Sequence, residues 1–414
     1  MTLRRKLWWV AVLYFAEGMP FGLVKDVVPV WMRVGGASLE TVGLISLAGY
    51  PWTFKFLWSP LVDRFGQRRD WISACLLMLA VVSAWFSTLD PSASTVGIWY
   101  ALLALAFASA TQDIAIDAYT IGLVDRGEEG KANGVRVAAA RVALITSGGA
   151  LLLIVPWIGW PSAFLIAAAV FAVLAVIARG APPVVVNAAA QRDWRPLLTW
   201  ATRRGAPAMF LFALIYKLGD ASMGPMVRPF WIDKGFTVFE IGLISTTVGI
   251  LLTIAGALVG GRLTDRWGLL PALFFLGLAQ ALSNLGYAGV AWLGLPPPAT
   301  EVSSLADLMG AIAQPARFLM YGASMLESFT GGLGTAAFMS LLMRVCDRDH
   351  AAVQYAVLSA LFAFSRDTVG AASGFGVKQL GYASYFALTF LLSFPALALL
   401  PWLRPLVQEP SPRS

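Results

Sequence analysis

The chain has 414 residues, 58% of them hydrophobic and only 13% charged, with a mean hydropathy of +0.72. A soluble domain carries roughly twice that charged fraction, so an ordinary globular protein is excluded in favour of a polytopic membrane protein. The formal net charge of +7 does not signal nucleic acid, because Lys and Arg collect in alternate loops between apolar runs, as the positive-inside rule arranges them.

Only helices or closed barrels satisfy backbone polar groups in lipid. The apolar runs are continuous rather than alternating, which selects helices. Spans are expected at 7–32, 41–61, 71–89, 96–122, 132–155 and 161–179, then at 207–232, 240–261, 269–293, 317–343, 351–373 and 382–403. The basic, proline-containing stretch 181–206 would be a cytoplasmic linker between an N-terminal six-helix bundle (1–180) and a C-terminal one (207–414). Arg4, Arg5 and Lys6 precede span one, Arg64, Arg68 and Arg69 follow span two, and Arg126 and Lys131 follow span four. Both termini are therefore expected in the cytoplasm. The stretch 294–316, with three consecutive prolines, reads as an outer loop. Cys75 and Cys346 fall in different halves and read as small core residues, with no metal site expected.

One passage occurs twice. Pro29–Ser46 and Pro229–Ser245 share proline, tryptophan, glutamate and a Gly-Leu-Ile-Ser ending. Each runs on into a second shared loop, Asp63-Arg64-Phe65-Gly66 and Asp265-Arg266-Trp267-Gly268. The glycine suits a tight turn into the next helix, and the carboxylate is placed to meet an arginine or a helix N-terminus. Two similar halves of this kind around a central site are how many secondary transporters achieve alternating access. The paired loops resemble the interspan signature of the major facilitator superfamily, where they act as conformational loops.

Ionisable groups inside spans are costly and need a partner, water or a role. Here they are Glu17, Lys25, Asp26, Lys55, Asp113, Asp117, Arg136, Arg141, Lys217, Asp220, Glu327, Arg366 and Asp367, with signs that nearly cancel. Asp113 and Arg141 each lie about fourteen residues from the middle of the loop between spans four and five, so at equal depth in an antiparallel pair. An Asp113–Arg141 pair is expected on that ground, and a Glu327–Arg366 pair across the loop between spans ten and eleven. Each is either a structural ion pair or one that breaks as protons or substrate pass. Glu17 and Lys217 stand at equivalent places in the repeat, next to Gly18 and Pro20 in one half and to Gly219 and Asp220 in the other. Glu17 is a candidate proton carrier, static ion-pair partner or substrate ligand. Tyr14, Trp58, Tyr119 and Tyr216 lie beside charged residues and are candidates to line a cavity, whereas most other aromatics suit lipid or interfacial positions. No catalytic triad, metal-ligand cluster or phosphate-cradling loop is visible, and the lone His350 falls in a loop. With no nucleotide-binding segment, transport would use an ion or solute gradient, without a cofactor.

Several stretches resemble the AmpG-type permease family, a branch of the same superfamily. They are Phe54–Arg64 in span two, Ala110–Ala118 in span four, Tyr216–Asp220 in span seven, Glu327–Phe338 in span ten, and Gln354–Ala356 with Leu358–Leu361 in span eleven. The resemblance implies proton-driven import of a small molecule across the bacterial inner membrane by a non-enzymatic monomer. The compact chain and the opening Tyr14–Gly22 are more similar to the siderophore-importing RhtX/FptX branch, so the first expectation is import of a pyochelin-like ferric siderophore. The alternative is an anhydromuropeptide permease of cell-wall recycling. A polytopic membrane enzyme ranks third, for want of convergent catalytic groups.

Overall fold

The computed structural model describes residues 1–92, 95–125, 127–184, 205–346 and 351–408. Most of the expected linker, and also Arg126 and His350, lie outside the described residues. Among the described residues every regular element is helical. Twelve passes follow one another: α1 Leu3–Val34, α2 39–64, α3 Arg68–Phe86, α4 Thr95–Leu123, α5 129–158, α6 160–179, α7 206–233, α8 Val238–Trp267, α9 Leu269–Leu293, α10 Pro315–Arg344, α11 351–380 and α12 382–408. α5 meets α6 at Gly159 (φ 76°) and α11 meets α12 at Gly381 (φ 73°), so each pair is joined by a left-handed glycine corner. The stretch 294–316 is not wholly irregular. It contains a short helix, Leu305–Ala311, and the fully buried Arg317 donates to the carbonyl of Thr300 and to Gln314 Oε1, each at 2.5 Å.

The helices depart from regularity at specific places. α2 is interrupted by 3₁₀ segments at Ile45–Gly49 and Lys55–Leu57, and restarts where Pro51 and Pro60 occupy first-turn positions that need no N–H. α7 is broken at Tyr216 and Lys217, between Ala206–Ile215 and Leu218–Asp233. Wider π-helical turns occur at Leu23–Val27 in α1, Ile145–Ala150 in α5 and Ile241–Val248 in α8.

The helices form two compact units, Met1–Ser38 with Ala48–Ala190 and Thr237–Thr247, and Leu39–Leu47 with Gln191–Phe236 and Val248–Ser414. In the first unit α1 packs on α5, and α3 on α4 and α6. Trp31, Phe86 and Phe164 form an aromatic knot there, with ring centroids 5.2–5.8 Å apart. In the second, α10 packs on α8 and α9, and α7 on α11. Its apolar core centres on Phe212, Tyr216 and Phe338, whose rings stack at 4.9 and 5.2 Å. Val81, Ile121 and Val176 stay largely exposed, as lipid-facing residues do.

Lipid is as apolar as leucine, so close backbone approach takes the place of a hydrophobic drive between helices. The α8–α10 contact shows how tight that approach is: a Cβ on Gly256 would lie 2.0 Å from the carbonyl oxygen of Phe329, and one on Gly332 2.2 Å from that of Thr253. At one end of the first unit, Lys6 donates to Asp125 and, at 2.7 Å, to Glu128. These hydrogen bonds hold both loop carboxyls below the usual carboxylate range.

Gly332→Leu is expected to force α8 and α10 apart and to destabilise the protein by about 1–3 kcal/mol. Gly261→Leu, on the same helix as Gly256 but with open space at its Cβ, should leave stability nearly unchanged. Thermal unfolding of both variants in detergent checks the contrast.

Candidate functional site

Each unit holds a cluster of polar side chains between its helices. In the first, Asp113 and Asp117 lie one turn apart on α4 and so face the same way. The 3₁₀ turn of α2 presents Lys55 to them. Its ammonium donates to Asp113 and lies 3.8 Å from Asp117. From α5, Arg136 reaches Asp117 at 3.3 Å. From α1, the Tyr14 hydroxyl donates to Asp117 at 2.7 Å, and the Arg136 guanidinium lies 4.6 Å from the centre of the Tyr14 ring. Glu17, one turn further along α1 than Leu13 and three residues from Tyr14, completes the group. Its carboxylate and those of Asp113 and Asp117 offer oxygens that all lie within 4.8 Å of one another. Glu17 Oε2 is buried without a hydrogen-bond partner. Three carboxylates thus face two cations, and one proton would bring the cluster to neutrality. Carboxylates this close would also admit a metal cation, but Lys55 and Arg136 already supply most of the counter-charge.

The expected Asp113–Arg141 pair does not form. Equal depth is not enough, because rotation about the helix axis decides the partner. Ala139 and Ala143 are buried, and Ala143 packs on α1 at Gly18. At about 100° per residue Arg141 points roughly opposite to both. Arg136 lies on the inward side of α5 and takes the place at Asp117, while Lys55 takes Asp113. Arg141, half-buried in mid-helix, makes no ion pair or side-chain hydrogen bond among the described residues.

In the second unit the break in α7 delivers Lys217 into the interior. Its ammonium donates to Gln280 Oε1 of α9 at 2.6 Å, to Asp220 at 3.3 Å and to the carbonyl of Gly331 on α10 at 3.3 Å. Gln280 fits only because residue 334 is glycine: a Cβ there would stand 2.0 Å from Gln280 Oε1. Thr330 donates to Ser283 at 2.8 Å, extending the network between α9 and α10. Glu327, one turn before Gly331, accepts from Ser328 at 3.4 Å. The expected Glu327–Arg366 pair is also absent. Arg366 instead pairs with its neighbour Asp367 at 3.0 Å, an adjacent carboxylate that is reached without crossing between helices. Gln280 was not a candidate in the sequence. Its signal was there: Gln280, Ser283 and Asn284 form a polar stripe at helical spacing in an otherwise apolar span.

The remaining candidates are dispersed. Trp58 donates to Thr111 at 3.1 Å, beside the first cluster. Tyr119 donates to the carbonyl of Pro182 at 2.9 Å, although it follows Asp117 by only two residues. Tyr216 donates to the carbonyl of Leu273 at 3.1 Å and belongs to the apolar core. In the Asp63–Gly66 loop, Gly66 is left-handed (φ 68°), and Arg68 and Trp71 bond the carbonyls of Val62 and Phe65, while Arg64 lies over the Phe65 ring. The side chain of Asp63 is outside the described set. The second loop, containing Asp265 and Arg266, likewise turns at a positive-φ glycine, Gly268 (84°).

Comparison with known proteins adds to this geometry. Residues 10–316 match the family model described as Major Facilitator Superfamily. The chain is 34% identical over 403 residues to an anhydromuropeptide permease of Escherichia coli K12, a match spanning 94% of this chain and 78% of that one. It is 28% identical over 418 residues to the putative transporter AmpG 4 of Rickettsia felis, with 96% of each covered. Among solved structures, a bacterial homolog of the human lysosomal transporter Spinster, inward-facing and unoccupied, superposes with a TM-score of 0.75 at 15% identity, over 99% of both chains. These relatives overturn the expectation of a ferric-siderophore importer, which rested on compactness and on the Tyr14–Gly22 opening. Compactness does not discriminate, since the Rickettsia relative is covered as fully as this chain.

A double-mutant cycle tests the pairing in the first cluster. Combining Lys55→Met with Asp113→Asn is expected to show a coupling energy of about 1–3 kcal/mol in thermal or denaturant unfolding. Combining Arg141→Met with Asp113→Asn should show additivity within about 0.5 kcal/mol.

Proposed function

The chain belongs to the major facilitator superfamily, among its AmpG-type permeases, and we propose that it carries anhydromuropeptides across the bacterial inner membrane into the cytoplasm, coupled to protons. The observation that carries the solute assignment is the 34% identity to an anhydromuropeptide permease over 94% of the chain. The crowding of basic residues into alternate loops supports cytoplasmic termini for a multi-pass inner-membrane protein.

The coupling rests on the charge count of the first cluster. Three carboxylates against two cations leave one negative charge, and a proton shared among Glu17, Asp113 and Asp117 cancels it. Such a proton belongs to the group rather than to one residue. With the proton bound, the cluster is neutral and fits a closed, dry interior. Without it, the excess charge favours a state in which the cluster meets water. Proton loss on one side then biases the equilibrium between the two accessibilities, and solute shifts it through its differential affinity for them. Lys217, Asp220 and Glu327 supply a second polar cluster in the other unit. The Asp63–Gly66 and Asp265–Gly268 loops are assigned to hinge positions between successive helices.

Uptake of a labelled anhydromuropeptide into vesicles tests this reading. A gradient of about one pH unit supplies about 1.4 kcal/mol per proton, or tenfold accumulation for each proton coupled. Wild type should accumulate the label to that extent. Glu17→Gln should bring it only to equilibrium while still exchanging label across the membrane. Wild-type vesicles that take up no label would overturn the solute assignment, and full accumulation by Glu17→Gln would remove Glu17 from the coupling.

A further inference from the structure

Arg141 is an intramembrane cation that meets no carboxylate among the described residues. Lys55, Arg136 and Lys217 each meet a carboxylate, whereas Arg141 has no side-chain partner among the described residues. Its guanidinium does not deprotonate in proteins, so relief by neutralisation is closed to it. The residue stands twelve positions, about 18 Å, along α5 from Glu129. An unpaired charge at that depth is retained where it meets water or a ligand.

Two local features fix where it points. Ala139 and Ala143 are buried, with Ala143 against Gly18 of α1, and Arg141 projects from the other side of the helix. The π turn Ile145–Ala150 begins four residues later, and the carbonyl of Arg141 accepts from the N–H of Ile145 at its start. π turns in otherwise regular helices often mark functional sites. A guanidinium offers a fork of donors that matches a carboxylate or phosphate bidentately.

We propose that Arg141 binds a carboxylate of the transported solute. The inference rests on the solute reading above: a sugar-linked peptide ends in a carboxylate. It assigns Arg141 to solute binding and leaves proton coupling to the Glu17 cluster.

The test is uptake of an anhydromuropeptide and of its carboxamide analogue, in which the peptide carboxylates are amidated, by wild type, Arg141→Lys and Arg141→Gln. Arg141→Gln should raise KM for the acid about tenfold to a hundredfold, the range for a lost charge-assisted hydrogen bond, with the maximal rate little changed. Arg141→Lys should fall between. Wild type should handle the amide as poorly as Arg141→Gln handles the acid, and Arg141→Gln should add no further loss on the amide. An equal loss on acid and amide, or none on the acid, would assign Arg141 to packing or to a lipid phosphate and overturn the inference. If wild type carries neither compound, the solute reading has failed, and Arg141 is tested separately. Arg141→Cys in a Cys75→Ala, Cys346→Ala chain should then react with an anionic, membrane-impermeant thiosulfonate. Absence of reaction would place the position in lipid and overturn the inference by itself.

Discussion

The pairing of Lys55 with Asp113 is the contact on which the first unit depends. A cation and a carboxylate inside a bilayer are tolerated only together, because either alone would cost several kcal/mol in a region without water. That contact requires α2 to break where it does. The 3₁₀ turn at Lys55–Leu57 and the restart at Pro60 turn the lysine toward α4, and Asp117, one turn along, then collects Arg136 and Tyr14. Glu17 is added to a group already balanced. Its extra carboxylate is what makes the cluster responsive to protons rather than a static tie.

The second unit meets the same constraint differently. A break in α7 again delivers a lysine, but Lys217 is surrounded by neutral acceptors as well as Asp220. Gln280 Oε1 and the Gly331 carbonyl accept hydrogen bonds from its ammonium without adding charge. The repeat in the sequence therefore does not extend to equivalent chemistry. It does extend to packing. The repeated segments include Leu39–Leu47 and Thr237–Thr247, each of which clusters with helices from the opposite part of the sequence. A Cβ on Gly43 would lie 2.9 Å from the amide nitrogen of Gly374, and one on Gly242 3.0 Å from the carbonyl of Gly149. The glycine of the shared Gly-Leu-Ile-Ser is thus explained by close helix contact.

Much of this was legible in the residues. Continuous apolar runs gave the helices, and the duplicated loops marked the same turn twice, at Gly66 and Gly268. The charged residues of spans one, two and four stood out in the sequence as groups that need partners. Their partners were harder to read, since depth follows from counting residues, whereas facing follows from rotation. Arg136 and Arg141 are five residues apart, about 140° around a helix, and only the burial of Ala139 and Ala143 decides between them. The α2 break that brings in Lys55 was likewise invisible to a count that assumed a regular helix. Gln280 was missed because its place depends on the missing side chain of Gly334, a pairing between helices that sequence order does not reveal. The motifs of spans two, four, seven, ten and eleven put the anhydromuropeptide alternative on the page, whereas the preference for a siderophore failed because Tyr14–Gly22 contributes to the charge cluster and carries no feature that distinguishes one solute from another.

The central claim is that the Glu17–Asp113–Asp117 group holds one proton against its two cations. Infrared difference spectroscopy of the purified protein in lipid reads this directly, through the carbonyl stretch of a protonated carboxyl. Wild type should show such a band near neutral pH, and Glu17→Gln should remove the part of it that belongs to this group, because three carboxylates are then reduced to two. A wild-type spectrum without the band, or a band that persists unchanged through Glu17→Gln, Asp113→Asn and Asp117→Asn, would contradict it.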